Sequence, residues 1–366
     1  MNTKMELDYQ KAEEWGLFGQ GARPAVIAGP CSAESERQVM ETAQALRAAG
    51  VEVFRAGVWK PRTHPGSFEG VGTAGLPWLQ RVRRELGMKV GTEVATGEHV
   101  REALEAGMDW LWVGARTSAN PFAMQELAEA LGGTEVPVLV KNPVNPDVEL
   151  WLGALERLSR AGVRKLGVIH RGFSVYGETK YRNVPQWQLP IEVRRRCPDL
   201  LMLCDPSHIA GRREYVAEVA QQALDLGFDG LMIEAHIHPE KAWSDSSQQV
   251  SPCELKQLVE GLVVRAADTE NGAYRANIDE LRMQINGIDR ELLDLLARRM
   301  EIAGEIGRYK HQNNIAILQP GRWEEVLERV FAYGREKGLG AEFLKRVFTA
   351  IHQASIDRQA RVMREE

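Results

Sequence analysis

Cys31, Glu93, His208, Glu234 and Asp245, with a dispersed set of lysines and arginines, are the residues of this sequence whose types could do chemistry. One thiol, one imidazole and two carboxylates (Cys31, His208, Glu234, Asp245) make a workable ligand set for Mn, Fe, Co or Zn. Taken singly, most of them have plainer readings. A lone Cys31 is most often a small buried hydrophobe, His208 an ordinary loop histidine and Asp245 a loop cap. Glu234 is harder to dismiss, because it ends the apolar run Leu231-Met232-Ile233, where an unpaired carboxylate is costly. Arg55, Lys60, Arg62, Arg116, Lys141 and Arg171 also sit at or just after apolar runs. In a chain of formal net charge -5, cations gathered this way suggest a substrate with phosphate or carboxylate groups. Cys204 lies inside an apolar run and reads as core, while Cys197 and Cys253 carry no signal.

The elements that must position these residues are short apolar runs alternating with amphipathic stretches. The runs are Ala25-Gly29, Val51-Gly57, Met88-Val94, Asp109-Gly114, Val136-Asn142, Arg164-His170, Leu200-Asp205 and Asp229-Glu234. They are rich in Val, Ile and Leu with little alternation, as expected of parallel strands buried on both faces. Stretches such as Glu34-Ala49, Phe122-Leu131 and Arg213-Leu226 read as the intervening helices. This α/β pattern predicts a (β/α)8 TIM barrel over residues 1–262, in preference to a doubly wound sheet with fewer strands. In such a barrel chemistry sits at the C-terminal ends of the strands, where the residues above fall.

Beyond Leu262 the character changes. Residues 263–276 are small and polar and read as a linker, and residues 277–366 as a separate all-α domain of three helices. Ile278, Leu281, Ile285, Ile288, Leu292, Leu295, Ile302 and Ile306 keep helical spacing, predicting one helix of about 35 residues, roughly 50 Å long. So long a helix asks for a partner chain. Arg299 interrupts its apolar seam and Lys310 falls on nearly the same face. Ser355 and Gln359 add neutral donors on one face of the last helix.

Composition sets outer bounds. With 366 residues, 44% hydrophobic and 27% charged, disorder is excluded. No apolar run nears the roughly 18 residues of a membrane span, and the charged N-terminus lacks a signal-peptide core. Four cysteines make no disulfide framework, so a cytoplasmic enzyme is expected. Mild acidity without a basic stripe argues against nucleic acid.

Gly29-Pro30-Cys31-Ser32, Lys60-Pro61-Arg62-Thr63, Gly114-Ala115-Arg116-Thr117, Lys141-Asn142 and Asp205-Pro206-Ser207-His208 occur in that order, ahead of Glu234 and Asp245. As a set they resemble 3-deoxy-D-arabino-heptulosonate 7-phosphate (DAHP) synthases of the short-barrel type. The resemblance implies condensation of phosphoenolpyruvate with erythrose 4-phosphate, the entry to aromatic amino acid biosynthesis. It implies that Arg116, Lys141 and Arg171, with Ala115, Arg55 and Lys60, hold phosphoenolpyruvate, and that Glu93 orders the attacking water. Arg62 and Thr63 would grip the phosphate of erythrose 4-phosphate, and Lys60 would serve as acid. A divalent metal on Cys31, His208, Glu234 and Asp245 would polarise the aldehyde. The sibling 3-deoxy-D-manno-octulosonate 8-phosphate synthases share the barrel but usually carry an Asn-containing variant of the Lys60-Thr63 segment.

The tail resembles the all-helical chorismate mutases through Leu281-Arg282, Ile288-Asp289, Arg299, Lys310, Arg322, Ser355 and Gln359. That resemblance implies an interlocked dimer, with Arg282 entering the partner's site and Arg299, Lys310 and Arg322 the chain's own. The arginines would clamp the carboxylates of chorismate while Lys310 and Gln359 donate to the breaking ether oxygen. Rearrangement to prephenate then needs only orientation and electrostatic preorganisation. Gln319 and Trp323 stand where stand-alone bacterial mutases have acidic residues near the ring hydroxyl. An alternative is a tail that dimerises and binds an effector without catalysing. On either reading the tail is a place where prephenate could bind and inhibit the barrel.

Overall fold

The computed structural model describes residues 7–19, 21, 24–61, 66–177, 179–266 and 269–365. The chain divides into two compact units, Met1–Ala267 and Asp268–Glu366, and the dividing position in the sequence falls inside the stretch read as a linker.

In the first unit β1 (Ala25–Gly29) leads to α1 (Glu36–Ala48), β2 (Val53–Arg55) to α2 (Leu76–Leu86) and β3 (Lys89–Val94) to α3 (Gly97–Glu105). β4 (Trp110–Val113) leads to the single turn α4 (Ala115–Ser118) and then α5 (Pro121–Leu131), and β5 (Val138–Lys141) to α6 (Val148–Arg160). β6 (Leu166–His170) leads to α7 (Gln188–Arg196), and β7 (Leu201–Cys204) to α8 (Pro206–Ala210) and α9 (Val216–Asp225). β8 (Gly230–Glu234) leads to α10 (Pro252–Gly261). The strands close in sequence order into one parallel barrel, with β1 paired to β8 in register Ala25 to Gly230. Every predicted apolar run holds a strand, β1 with the same bounds and the others trimmed where the chain turns off the ladder.

Two apolar layers hold the barrel together. One lies between strands and helices, and the other fills the interior with Ile27, Val53, Trp110, Trp112, Leu139, Ile169, Leu203 and Met232. Trp15 and Leu17, from the segment before β1, pack onto the interior layer. Side-chain caps start several helices just past the strands: Ser35 accepts from Gln38 N, Thr96 from His99 N and Asp147 from Leu150 N. The caps turn the chain sharply, so the residues between strand end and cap are held over the barrel mouth.

The second unit is α11 (Gly272–Gln312), α12 (Pro320–Glu336) and α13 (Ala341–Glu365). α11 starts within the 263–276 stretch, because Asn271 caps it by accepting from Tyr274 N, and it runs 41 residues rather than the shorter span expected. Its apolar residues Leu281, Ile285, Ile288, Leu292 and Leu295 stay more than half exposed. Its C-terminal half packs on α13 through Ala303, Gly304 and Gly307. Among the described residues no helix is long and apolar enough to cross a membrane.

Candidate active site

The barrel mouth holds a cavity lined by Lys60, Glu93, Ala115, Arg116, Lys141, Arg171, Arg182, His208 and Asp245. Each comes from a strand end or the loop after it, so the closed parallel sheet aims them at one point. Cys31 and Glu234 are fully buried, and Cys31, Glu234 and Asp245 offer ligand atoms all within 4.8 Å of one another. Cys31 Sγ lies 3.3 Å from Asp245 Oδ2. His208 approaches this trio with Nε2 3.8 Å from Glu234 Oε1, and its Nδ1 lies 2.7 Å from Asp205 Oδ2. With a carboxylate beside the far nitrogen, Nε2 is the nitrogen that faces the trio.

The electrostatics follow from burial. Burial and the neighbouring Glu234 push the Cys31 thiol up to about 12. Burial raises Asp245, yet His208 and Arg182 outweigh it and hold the carboxyl below its ordinary range. Burial lowers the His208 pKa, with Asp205 opposing only in part, which favours the neutral form of the ring that ligates a metal. Glu234 Oε1 is buried without a hydrogen-bond partner among the described residues. A thiol, an imidazole and two clustered carboxylates, one with an oxygen ion-paired to Arg55 but not hydrogen-bonded, fit a divalent cation. Its charge would reverse the upward shift of the thiol.

The cations are held in turn by acids. Lys141 Nζ donates to Asp205 Oδ2 at 2.7 Å. Burial raises Asp205, but His208, Lys141 and Arg55 outweigh it and leave the carboxyl well below the usual range. Lys60 Nζ donates to Cys31 O at 3.2 Å and lies 4.0 Å from Glu93 Oε2, which also accepts from Trp112 Nε1. Gly114 makes room for Glu93, since a Cβ there would fall 2.1 Å from Glu93 Oε1. Burial lowers Arg171 to about 10, where it stays charged at neutral pH.

One expectation is refined by placement. Arg55 does not line the cavity: it is fully buried, 3.3 Å from Glu234 Oε1 and with its guanidinium 4.8 Å over the Trp112 ring. Arg62 and Thr63 lie outside the described residues. Sequence reasoning missed Arg182, whose Nη1 donates to Asp245 Oδ1 at 2.7 Å and to Gln248 Oε1 at 2.9 Å. It lies mid-loop in Lys180-Tyr181-Arg182, indistinguishable in sequence from solvated charge. Asp205 was part of a motif, but nothing local marked it as the bridge between Lys141 and His208.

The helical unit has a cavity of about 330 Å³ lined by Arg299, Lys310, Gln319, Arg322, Trp323, His352, Ser355 and Gln359, with apolar walls of Ile302, Ile306, Val326 and Ile356. Arg299 donates to Ser355 Oγ, and Lys310 Nζ to Ile317 O at 2.6 Å. Burial lowers the pKa of both cations. Gln359 Oε1 is buried with no partner among the described residues. Trp323 stacks on His352 with ring centroids 4.1 Å apart. Arg282 stays outside this cavity, exposed and 3.4 Å from Asp279.

The barrel matches the model of the DAHP synthetase I family over residues 8–267. The chain belongs to that family. Behind the synthase barrel, residues 281–360 match chorismate mutase type II, so the chain joins a transferase of aldolase type to an isomerase. A similar protein is the phospho-2-dehydro-3-deoxyheptonate aldolase of Thermotoga maritima, 35% identical over 64% of this chain and 68% of that protein. The crystal structure of the Thermotoga aldolase superposes with a TM-score of 0.62 at 30% identity, covering 71% of this chain and 75% of that one. The 2-dehydro-3-deoxyphosphooctonate aldolase of Desulfotalea psychrophila is 31% identical over 69% of this chain and 94% of its own length.

Proposed function

We propose that the barrel condenses phosphoenolpyruvate with erythrose 4-phosphate to DAHP and phosphate, and that the helical unit converts chorismate to prephenate. The observation that carries the first reading is the cation-lined cavity that shares Asp245 with the Cys31, Glu234 and Asp245 trio. Arg116, Lys141 and Arg171, with the adjoining Ala115, hold the carboxylate and phosphate of phosphoenolpyruvate by charge-assisted hydrogen bonds. Arg55 reinforces them from below, since its Nε and Nη1 are buried and find no partner among the described residues. Glu93 orients water toward the enol carbon. Lys60, clamped between Cys31 O and Glu93, is placed to give its proton to the developing alkoxide. Arg62 and Thr63 grip the sugar phosphate. Cys31, His208, Glu234 and Asp245 would hold a divalent metal, which when bound supplies Lewis-acid polarisation of the aldehyde.

In the helical unit Arg299 and Arg322 take the two carboxylates, and Ser355 positions Arg299. Lys310 and Gln359 donate to the ether oxygen as its bond breaks. Arg282, which does not line this cavity, serves the site of a second copy. The exposed apolar seam of α11 supports such a homodimer, because bare rows of Leu and Ile are unfavourable in water. All four cysteines are free thiols, in keeping with a cytoplasmic enzyme.

Assaying the purified chain with phosphoenolpyruvate plus either aldose phosphate, and separately with chorismate, tests both halves. Preference for arabinose 5-phosphate would move the barrel to the octulosonate class. Binding of chorismate without turnover would reduce the tail to an effector module. We also read prephenate as an inhibitor of condensation acting through Arg299, which requires the ligand to favour one of two arrangements of the chain. Unchanged synthase rate at saturating prephenate refutes that part.

A further inference from the structure

The metal trio is supplied partly by a long irregular loop. Asp245 lies between β8 and α10, where the only regular piece is one turn at Pro239–Lys241, and its backbone sits at φ 46°, in the left-handed region that Asp enters more readily than most residues other than glycine but still at a cost. Something must hold it there. The loop after β1 faces the Asp245 segment in antiparallel fashion, and three side-chain contacts close the seam. Cys31 Sγ meets Asp245 Oδ2, Ser32 Oγ meets Ser244 Oγ at 2.6 Å, and Trp243 N donates to Glu34 Oε1 at 2.7 Å.

Glu34 is buried away from the cavity, and its other oxygen faces an equally buried histidine: His236 Nε2 lies 3.4 Å from Glu34 Oε2. The backbone N of His238 donates to His236 Nδ1 at 2.9 Å. That bond makes Nδ1 the acceptor, so the ring proton sits on Nε2 and points at Glu34. Glu34 therefore receives two donors from one loop, at Trp243 and at His236, on either side of the Pro239–Lys241 turn. The carboxylate staples the loop closed, and Asp245 follows two residues after Trp243.

We propose that Glu34, oriented by His236, is a positioning residue for the metal site: it sets the loop so that Asp245 reaches Cys31 and Glu234. The proposal rests on the reading of Cys31, His208, Glu234 and Asp245 as ligands. It makes an asymmetric demand on hydrogen bonding. In Glu34→Gln the amide oxygen can still accept from Trp243 N, but the amide NH2 then confronts His236 Nε2–H, donor against donor. Moving the ring proton to Nδ1 would set it against the His238 N–H, so one contact is lost either way. His236→Leu removes the donor altogether. His236→Gln keeps an acceptor for His238 N and a donor for Glu34 on one side chain. The Ser32–Ser244 contact and Gln249, which ties Cys31 N to Ser244 O, remain in every variant, so the loop loosens without being released.

The test is a titration of full-length metal-free protein with Co(II) against a competing chelator, following the thiolate-to-cobalt charge-transfer band and the ligand-field bands. Glu34→Gln and His236→Leu should each weaken Co(II) about 10–100-fold, the range for lost outer-shell support, and alter the ligand-field bands as Asp245 disengages. His236→Gln should stay within about threefold of wild type, which a general packing role for the ring would not permit. Wild-type affinity and spectra in Glu34→Gln and His236→Leu overturn the proposal, as does a His236→Gln variant as weak as His236→Leu. Cys31→Ala and Asp245→Asn are the reference: if they bind Co(II) as tightly as wild type, it is the metal reading that fails. If Glu34→Gln does not fold, the two His236 variants decide.

Discussion

Gly307 ties the mutase cavity to the packing of α11 on α13. A methyl group at this position would lie 3.0 Å from Gln359 Cα and 3.3 Å from Gln359 Cβ and Cγ. The nearest of these is backbone, so no rotamer change relieves it. Restoring ordinary contact of about 4 Å requires α13 to retreat by about 0.5–1 Å. Gln359 retreats with it, while Lys310 stays on α11. Misplacement of about 1 Å costs on the order of 100-fold in rate, so Gly307→Ala should lower mutase kcat/KM by about 10–100-fold. The helical unit should lose about 0–2 kcal/mol of stability, because about 1 kcal/mol of helix propensity offsets part of the roughly 1–3 kcal/mol of overpacking. The synthase rate, carried by the other unit, should not change. Gly153 in α6 is the control: a Cβ there meets nothing within 4 Å, so Gly153→Ala should stabilise the barrel and leave both rates alone. The assays are chorismate consumption, DAHP formation and thermal unfolding. A Gly307→Ala enzyme with wild-type mutase activity and a raised melting temperature would refute the close-packing argument.

Removing the metal with a chelator, or Cys31→Ala, should abolish condensation and leave the mutase reaction intact; full condensation by metal-free protein would dismiss the ligand set. Gln359→Glu puts a carboxylate where a donor is needed, so mutase activity should appear only with that carboxyl protonated. Its rate should rise as pH falls through a Glu pKa raised by burial, and a flat profile at wild-type rate would exclude Gln359 from the site. Burial holds the His170 imidazole down at about 3, while the unfolded chain protonates it near pH 6.5. Between those values the unfolded state binds the extra proton, so this stability is present above about pH 6.5 and lost as pH falls toward 3. His170→Leu should flatten the acid limb of barrel stability by on the order of a few kcal/mol at pH 3, read as urea midpoint against pH. An unchanged slope would show that the buried ring is not the group responsible.

Periodicity and chain order determined much of this protein. Val, Ile and Leu runs without alternation, each too short for a helix, read as strands buried on both faces, and eight of them recurring with amphipathic stretches favour a closed barrel over a doubly wound sheet. The rule that chemistry sits at strand ends then marked Cys31, Lys141, Arg171 and Glu234 before any coordinates. The 3- and 4-residue spacing of Ile285, Ile288 and Leu292 marked the long helix, and the polar break at Arg299 marked its cavity. What one dimension could not carry was which side chains meet across distant loops. Arg55 looked like a cavity residue, but closure of the barrel puts it beneath the floor against Glu234. Arg182 acquires its meaning only because its loop folds over Asp245, 63 positions away. Glu34 and His236 are 202 positions apart and each is unremarkable in sequence. Hydrophobic burial is encoded residue by residue and survives as a pattern along the chain. Directional contacts depend on both partners arriving in register, and only the closed tertiary fold decides that.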